Sequence, residues 1–132
     1  MYAWTALVTI SALIVYFSVT INVARARLKY KIMPPLTSGS PEFDRVFRVQ
    51  QNTTEQLVLF LPILWIFSIF VSEFWGAILG SIWVVGRILY AWGYYQATEK
   101  RMPGFGMSSF ATTILLAGSL VGVLFNLSRN FQ

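Results

Sequence analysis

Neither cysteine nor histidine occurs anywhere in the 132 residues. Their absence excludes disulfides, zinc sites built on thiolate or imidazole, Ser-His-Asp and Cys-His nucleophilic catalysis, and haem held by the usual axial ligands. If this chain carries out thiol chemistry, the thiol must come from a second molecule. Charge is also scarce. Only 11% of residues are Asp, Glu, Lys or Arg, and five of those are acidic. So few charges cannot cover the surface of a water-soluble domain.

What fills the chain instead is hydrocarbon: 56% of residues are hydrophobic and mean hydropathy is +0.62. The net charge of +5 would suggest nucleic acid in a soluble protein. Here the basic residues flank long apolar runs, so anionic lipid headgroups or a small anion are the fitting partners, and no nucleic acid is expected. Residues 3–24 hold no charge and match the ~20 residues a helix needs to cross a bilayer. Arg25, Arg27, Lys29 and Lys31 follow at once. A cleaved leader would carry its positive charge before the apolar run, so this segment reads as a retained membrane helix. Three more spans follow, giving four helices over about 3–24, 43–73, 74–101 and 104–128 within one domain, 1–132.

Basic residues set the orientation. Arg25, Arg27, Lys29, Lys31, Arg45, Arg48, Lys100 and Arg101 lie in or beside the first and third loops, against Arg129 alone at the other end. The positive-inside rule then puts those loops in the cytoplasm and both termini on the opposite side. Ser40, Pro41, Glu42 and Asp44 spell a helix start. A helix from Phe43 to Glu73 is roughly 46 Å long at ~1.5 Å per residue, so its first turns stand outside the hydrocarbon. Pro62 is expected to kink it.

The polar residues of the second and third spans are not scattered. At ~100° per residue, Arg48, Asn52 and Glu55 fall within a sector of about 60°, with Arg45 at its edge. Arg87, Tyr90, Tyr94 and Arg101 share a similar sector if the third helix continues to Arg101. Counting equally outward from a turn at Glu73 and Phe74 sets Glu55 level with roughly residue 93, Asn52 with 96 and Arg48 with 100. Two polar stripes can then meet in a cationic, tyrosine-lined cleft with one carboxylate.

Simpler readings stand beside this one. Arg45, Arg48, Lys100 and Arg101 are placed where headgroup anchors occur, and Tyr90, Tyr94 and especially Tyr95 suit an interfacial belt. Glu55 could serve only to pair an arginine. Arg87 resists such a reading, because it lies about a dozen residues into an apolar helix, where a charge costs at least ~2.5 kcal/mol. It requires a partner or a polar cavity. Glycines at Gly76 and Gly80, and at Gly118 and Gly122, offer small-residue faces for helix packing.

Two segments carry a resemblance to a known family. "PPLTSGSPEFDRVFRVQQNTTE" contains Arg48, Gln50, Asn52 and Glu55 in the pattern Arg-x-Gln-x-Asn-x-x-Glu, and "GRILYAWGY" contains Arg87, Tyr90 and Tyr94. The chain resembles the membrane-associated proteins in eicosanoid and glutathione metabolism, the MAPEG family, in particular its bacterial-type microsomal glutathione S-transferases. The resemblance implies an all-α membrane protein, a four-helix bundle assembled as a homotrimer, with glutathione as co-substrate bent into a site at each subunit interface. Arg48, Asn52, Glu55, Tyr90 and Tyr94 would hold the peptide, joined by Arg27 and Gln50 from a neighbouring subunit, with Arg87 in support. Arg101 would face the sulfur and stabilise its thiolate. No metal is implied.

The implied activity is conjugation of glutathione to hydrophobic electrophiles, with reduction of lipid hydroperoxides as an accompanying activity. Two positions depart from the leukotriene-forming branch: Gln56 replaces an aromatic residue, and Leu28 replaces a second arginine after Arg27. Dedicated leukotriene synthesis is therefore not expected. A non-catalytic, lipid-presenting member of the same family is the alternative, with a small structural or transport protein as a third.

Overall fold

A computed structural model describes residues 1–131. Four long helices make up nearly all of it: α1 (Ala3–Tyr30), α2 (Pro41–Phe70), α3 (Glu73–Gln96) and α4 (Met102–Asn130), with a 3₁₀ turn, Thr98–Arg101, between the last two. Each is long and apolar enough to cross a membrane. Large apolar side chains such as Trp4, Ile14, Phe17, Trp92, Phe110 and Phe125 point outward, as lipid-facing residues do.

Local chemistry explains the helix ends. Ser40 accepts a hydrogen bond from the Phe43 amide at 3.1 Å, Pro41 opens the first turn of α2, and Glu42 and Asp44 lie in it. Ser72 repeats the device for α3, accepting from the Trp75 amide at 3.2 Å. The turn between α2 and α3 thus centres on Val71 and Ser72, slightly earlier than the expected Glu73 and Phe74. Helix α1 runs past its hydrocarbon stretch to Tyr30, so Arg25, Arg27 and Lys29 stand on a helix. The expected continuous helix to Arg101 ends instead at Gln96. Ala97 is extended at φ −163° and ψ 148°, and the chain folds back so that the Lys100 carbonyl lies against Gly93. Only a residue without a Cβ allows that approach.

All four helices feed one core. Val8 and Ala12 from α1, Phe60, Leu64 and Phe67 from α2, Leu79 and Trp83 from α3, and Ala111 and Leu115 from α4 are buried together. Phe60 and Trp83 stack with ring centroids 4.0 Å apart. In lipid, apolar side chains gain little by leaving the solvent, so close packing and internal hydrogen bonds must hold helices together. The hydroxyls supply several: Thr5 donates to Ser68 at 2.9 Å, the Trp65 indole to Thr9 at 3.0 Å, and Ser119 to the Ile63 carbonyl at 3.2 Å.

The glycines read from the sequence face side chains. Gly76 meets Ser68 and Phe67, Gly80 meets Val8 and Leu64, Gly118 meets Phe67, and Gly122 meets Val71. The tightest backbone-to-backbone approach between two of the long helices lies elsewhere, where α3 and α4 cross at Gly86 and Gly104. A Cβ on Gly104 would collide with the Tyr90 backbone and stand 2.5 Å from the Gly86 carbonyl, whereas one on Gly106 would meet nothing within 4 Å. Gly104→Ala should therefore destabilise the bundle by about 1–3 kcal/mol or more through overpacking, while Gly106→Ala should cause no loss. Thermal unfolding of the two variants in one detergent tests the contrast.

Candidate functional site

The two polar stripes do meet. A cavity of about 220 Å³ is lined by Arg48, Gln51, Asn52 and Glu55 from α2, Tyr90 and Tyr94 from α3, and Arg101 from the 3₁₀ turn. Six of these seven residues were expected from helical spacing and resemblance; Gln51 was missed. It sits three residues after Arg48 and four before Glu55, at the edge of the same face, so the spacing that found its neighbours also points to it.

Arg87 organises the wall. Its side chain is 1% exposed, and its Nη2 donates to Asn52 Oδ1 at 2.8 Å and to Thr53 Oγ1 at 2.9 Å. Its guanidinium lies 4.0 Å from the centre of the Tyr90 ring. These contacts give Nη2 two acceptors and the guanidinium face an aromatic ring, while Nε and Nη1 are buried without a hydrogen-bond partner among the described residues. They also place Arg87 behind the cavity lining, so its expected support is exerted through Asn52 and Tyr90. Counting from the expected turn set Asn52 level with residue 96; the observed turn at Val71 and Ser72 sets it level with about residue 91, and the arginine stem spans the remaining four residues, roughly 6 Å of rise.

The tyrosines form the floor. Tyr90 and Tyr94 are nearly perpendicular with centroids 5.5 Å apart, and both are buried against Val19, Val49 and Ala91. Arg101 reaches over Tyr94 at 5.5 Å and donates from Nη1 to the Thr98 carbonyl at 2.6 Å. Although α3 stops before it, the 3₁₀ turn brings Arg101 back to the cavity that a continuous helix was expected to give it.

Two further expected residues lie off this cavity. Gln50 faces α1, donating to Tyr16 Oη at 3.3 Å alongside Thr54, which donates to the same oxygen at 3.1 Å. Arg27 packs over Phe43 at 5.2 Å and donates from Nη1 to the carbonyls of Ile32 and Leu36, at 3.2 and 2.7 Å. Neither lines the cavity of its own chain. A second polar cavity of about 340 Å³, lined by Thr37, Ser38, Asp44, Phe47, Arg48 and Gln51, shares Arg48 and Gln51 with the first. Among the described residues no cluster of acidic groups suited to a metal ion is present.

The site can bind a molecule carrying both signs of charge, through two guanidiniums, one carboxylate and two carboxamides. The family model of the MAPEG family matches residues 5–121. The chain belongs to the MAPEG family. It is 41% identical over 108 residues to human microsomal glutathione S-transferase 2, covering 82% of this chain and 72% of the relative. Identity to leukotriene C4 synthase of Cavia porcellus is 38% over 109 residues, covering 83% and 71%. An uncharacterised protein of Synechocystis sp. is 54% identical over 129 residues, 98% of this chain and 94% of that one. As a MAPEG protein with four apolar helices, the chain is an integral, multi-pass membrane protein.

Because Arg87 holds Asn52 and Thr53 through charged hydrogen bonds, removing it leaves both acceptors facing a void. Arg87→Ala should lower stability by about 1.5–3 kcal/mol, more than Arg48→Ala at the exposed rim. Denaturant unfolding in mixed micelles compares them directly.

Proposed function

We propose that this MAPEG protein is a glutathione transferase that joins the tripeptide to hydrophobic electrophiles, and that the cavity of Arg48, Asn52, Glu55, Tyr90, Tyr94 and Arg101 is its glutathione site. The observation that carries the reading is the charge pattern of that cavity, whose lining brings together two guanidiniums, Arg48 and Arg101, and one carboxylate, Glu55. Glutathione carries two carboxylates, an ammonium, two amides and a thiol. Arg48 pairs a carboxylate, Glu55 the ammonium, Asn52 and Gln51 the amides, and Arg101 remains for the sulfur. The likeness to microsomal glutathione S-transferase 2 supports the choice of co-substrate.

The chemistry needs no nucleophile from the protein. A guanidinium within ~4–6 Å lowers an acid's pKa by about 1–3 units, which turns a mostly protonated thiol into a substantial thiolate at neutral pH. The sulfur then forms a bond to the electrophilic carbon while the leaving group departs with the bonding pair. Hydrophobic acceptors reach the site by partitioning into the bilayer around it. Lipid hydroperoxides are a second acceptor class for the same thiolate.

A cavity of about 220 Å³ is smaller than the ~300–1,000 Å³ usual for small-molecule sites. We take one subunit to provide part of the site and a neighbour in a homotrimer to complete it with Arg27 and Gln50. Only Nη1 of Arg27 is engaged by the loop carbonyls, so its other donors remain for a second carboxylate. The excess of basic residues at this end supports a site on the cytoplasmic side by the positive-inside rule.

Arg101→Ala should keep glutathione binding, yet lose tenfold or more of turnover at neutral pH, with the alkaline midpoint of the rate moved up by about 1–3 units. A pH series with a chlorinated nitrobenzene acceptor, alongside ultraviolet detection of thiolate, measures both. Turnover like that of the unaltered protein would remove Arg101 from the reaction. Glu55→Gln should instead weaken glutathione binding about tenfold or more, as expected for loss of a charged hydrogen bond. Calorimetry with glutathione in detergent reads that change, and unchanged affinity would displace the ammonium from Glu55.

A further inference from the structure

A second groove, on a different face of the bundle from the polar cavity, runs between α1 and α3. Its upper part, about 440 Å³, is lined by Arg25, Lys29, Tyr30 and Val46, and its lower part, about 450 Å³, by apolar residues including Ile14, Val19, Ile88 and Trp92. Asn22 and Tyr95 line both parts, so the two join at that pair. On α1, Asn22, Arg25, Ala26 and Lys29 follow helical i, i+3, i+4, i+7 spacing and form one stripe along the groove.

The chemistry changes along the groove as it does along a lipid. At the upper end Arg25 and Lys29 are exposed, and among the described residues no acidic side chain lines either part. Lys29 is steadied by Tyr30, whose ring lies 5.3 Å from its ammonium. At the junction, Asn22 Nδ2 donates to Tyr95 Oη at 3.1 Å. Tyr95 accepts there, which leaves its own O–H to donate, so every charged or hydroxyl group at the mouth offers a proton to an anion. Below, the wall is hydrocarbon and an indole.

Length agrees with this. From Ile14 to Tyr30 the groove follows α1 for roughly 24 Å at 1.5 Å per residue. One leaflet of a bilayer, headgroup included, is about 20–22 Å tall.

We propose that the α1–α3 groove is a binding site for one anionic glycerophospholipid, its phosphate held by Arg25, Lys29 and the Tyr95 hydroxyl and an acyl chain lying against Ile14, Ile88 and Trp92. The site is separate from the polar cavity and does not depend on the proposed transferase activity.

The test uses the full chain purified in mild detergent, with phosphatidylglycerol, phosphatidylcholine of the same acyl chains, and free glycerol phosphate, read by native mass spectrometry. Phosphatidylglycerol should be retained over phosphatidylcholine, and Arg25→Gln and Lys29→Gln should each reduce that preference about fivefold. Trp92→Ala should lower retention of both lipids and leave their ratio unchanged. A preference that survives the double substitution would overturn the proposal. So would binding of glycerol phosphate as tight as that of the lipid, which would mark a soluble-anion site. Loss of assembly mass in the double variant, with lipid retention intact, would assign the groove to a second copy of the chain and overturn it equally.

Discussion

A guanidinium sealed inside an apolar bundle must find acceptors or unfold its surroundings, and Arg87 finds two for its Nη2 on one neighbouring helix. Its bonds to Asn52 and Thr53, together with the Tyr90 ring against its face, fix how α2 and α3 present themselves to each other. A charge that costs at least ~2.5 kcal/mol to bury is well suited to this, because any rotation of α3 that broke those bonds would restore the whole penalty. Asn52 and Tyr90 are thereby held in place as lining of the cavity, and Arg48 and Glu55 follow from the periodicity of the helix that carries Asn52.

Much of this is legible in the sequence. Four apolar runs bounded by basic or turn residues defined four spans, and a 100° step brought Arg48, Asn52 and Glu55 together. It did the same for Arg87, Tyr90 and Tyr94, since both groups lie within single uninterrupted helices. Helical arithmetic lost its hold at Ala97, where an extended residue and a 3₁₀ turn replace helix. Arg101 reaches the cavity by folding back over Gly93, which a projection of regular helix cannot foresee. Gly86 and Gly104 escaped for a related reason: they belong to different helices, and the motif sought was a pair on one. Arg27 and Gln50 rest on resemblance and not on spacing: both were expected from a neighbouring subunit, and both lie off the cavity of their own chain.

The molecule divides along its axis. One end is held by hydroxyl-to-hydroxyl bonds and stacked aromatics, among them Thr5 with Ser68 and Phe60 with Trp83. The other collects nearly all the charge, on the extended end of α1, the start of α2 and the turn before α4. Apolar packing alone gives membrane helices little rotational preference, so the polar end supplies orientation and the aromatic end supplies density. A chain with so few charges concentrates most of them at the end where its helices leave the hydrocarbon.

Gly104 stands three residues beyond Arg101, and its contact with the Tyr90 and Gly86 backbones registers α4 against α3. It works as a datum for the arginine: the depth of that charge is measured from a point where two main chains touch. One helical residue of slippage is about 1.5 Å, enough to carry the guanidinium off the ring of Tyr94. A methyl group added at this crossing would therefore reach the cavity as a misplaced charge, although the position that receives it lies outside the cavity lining.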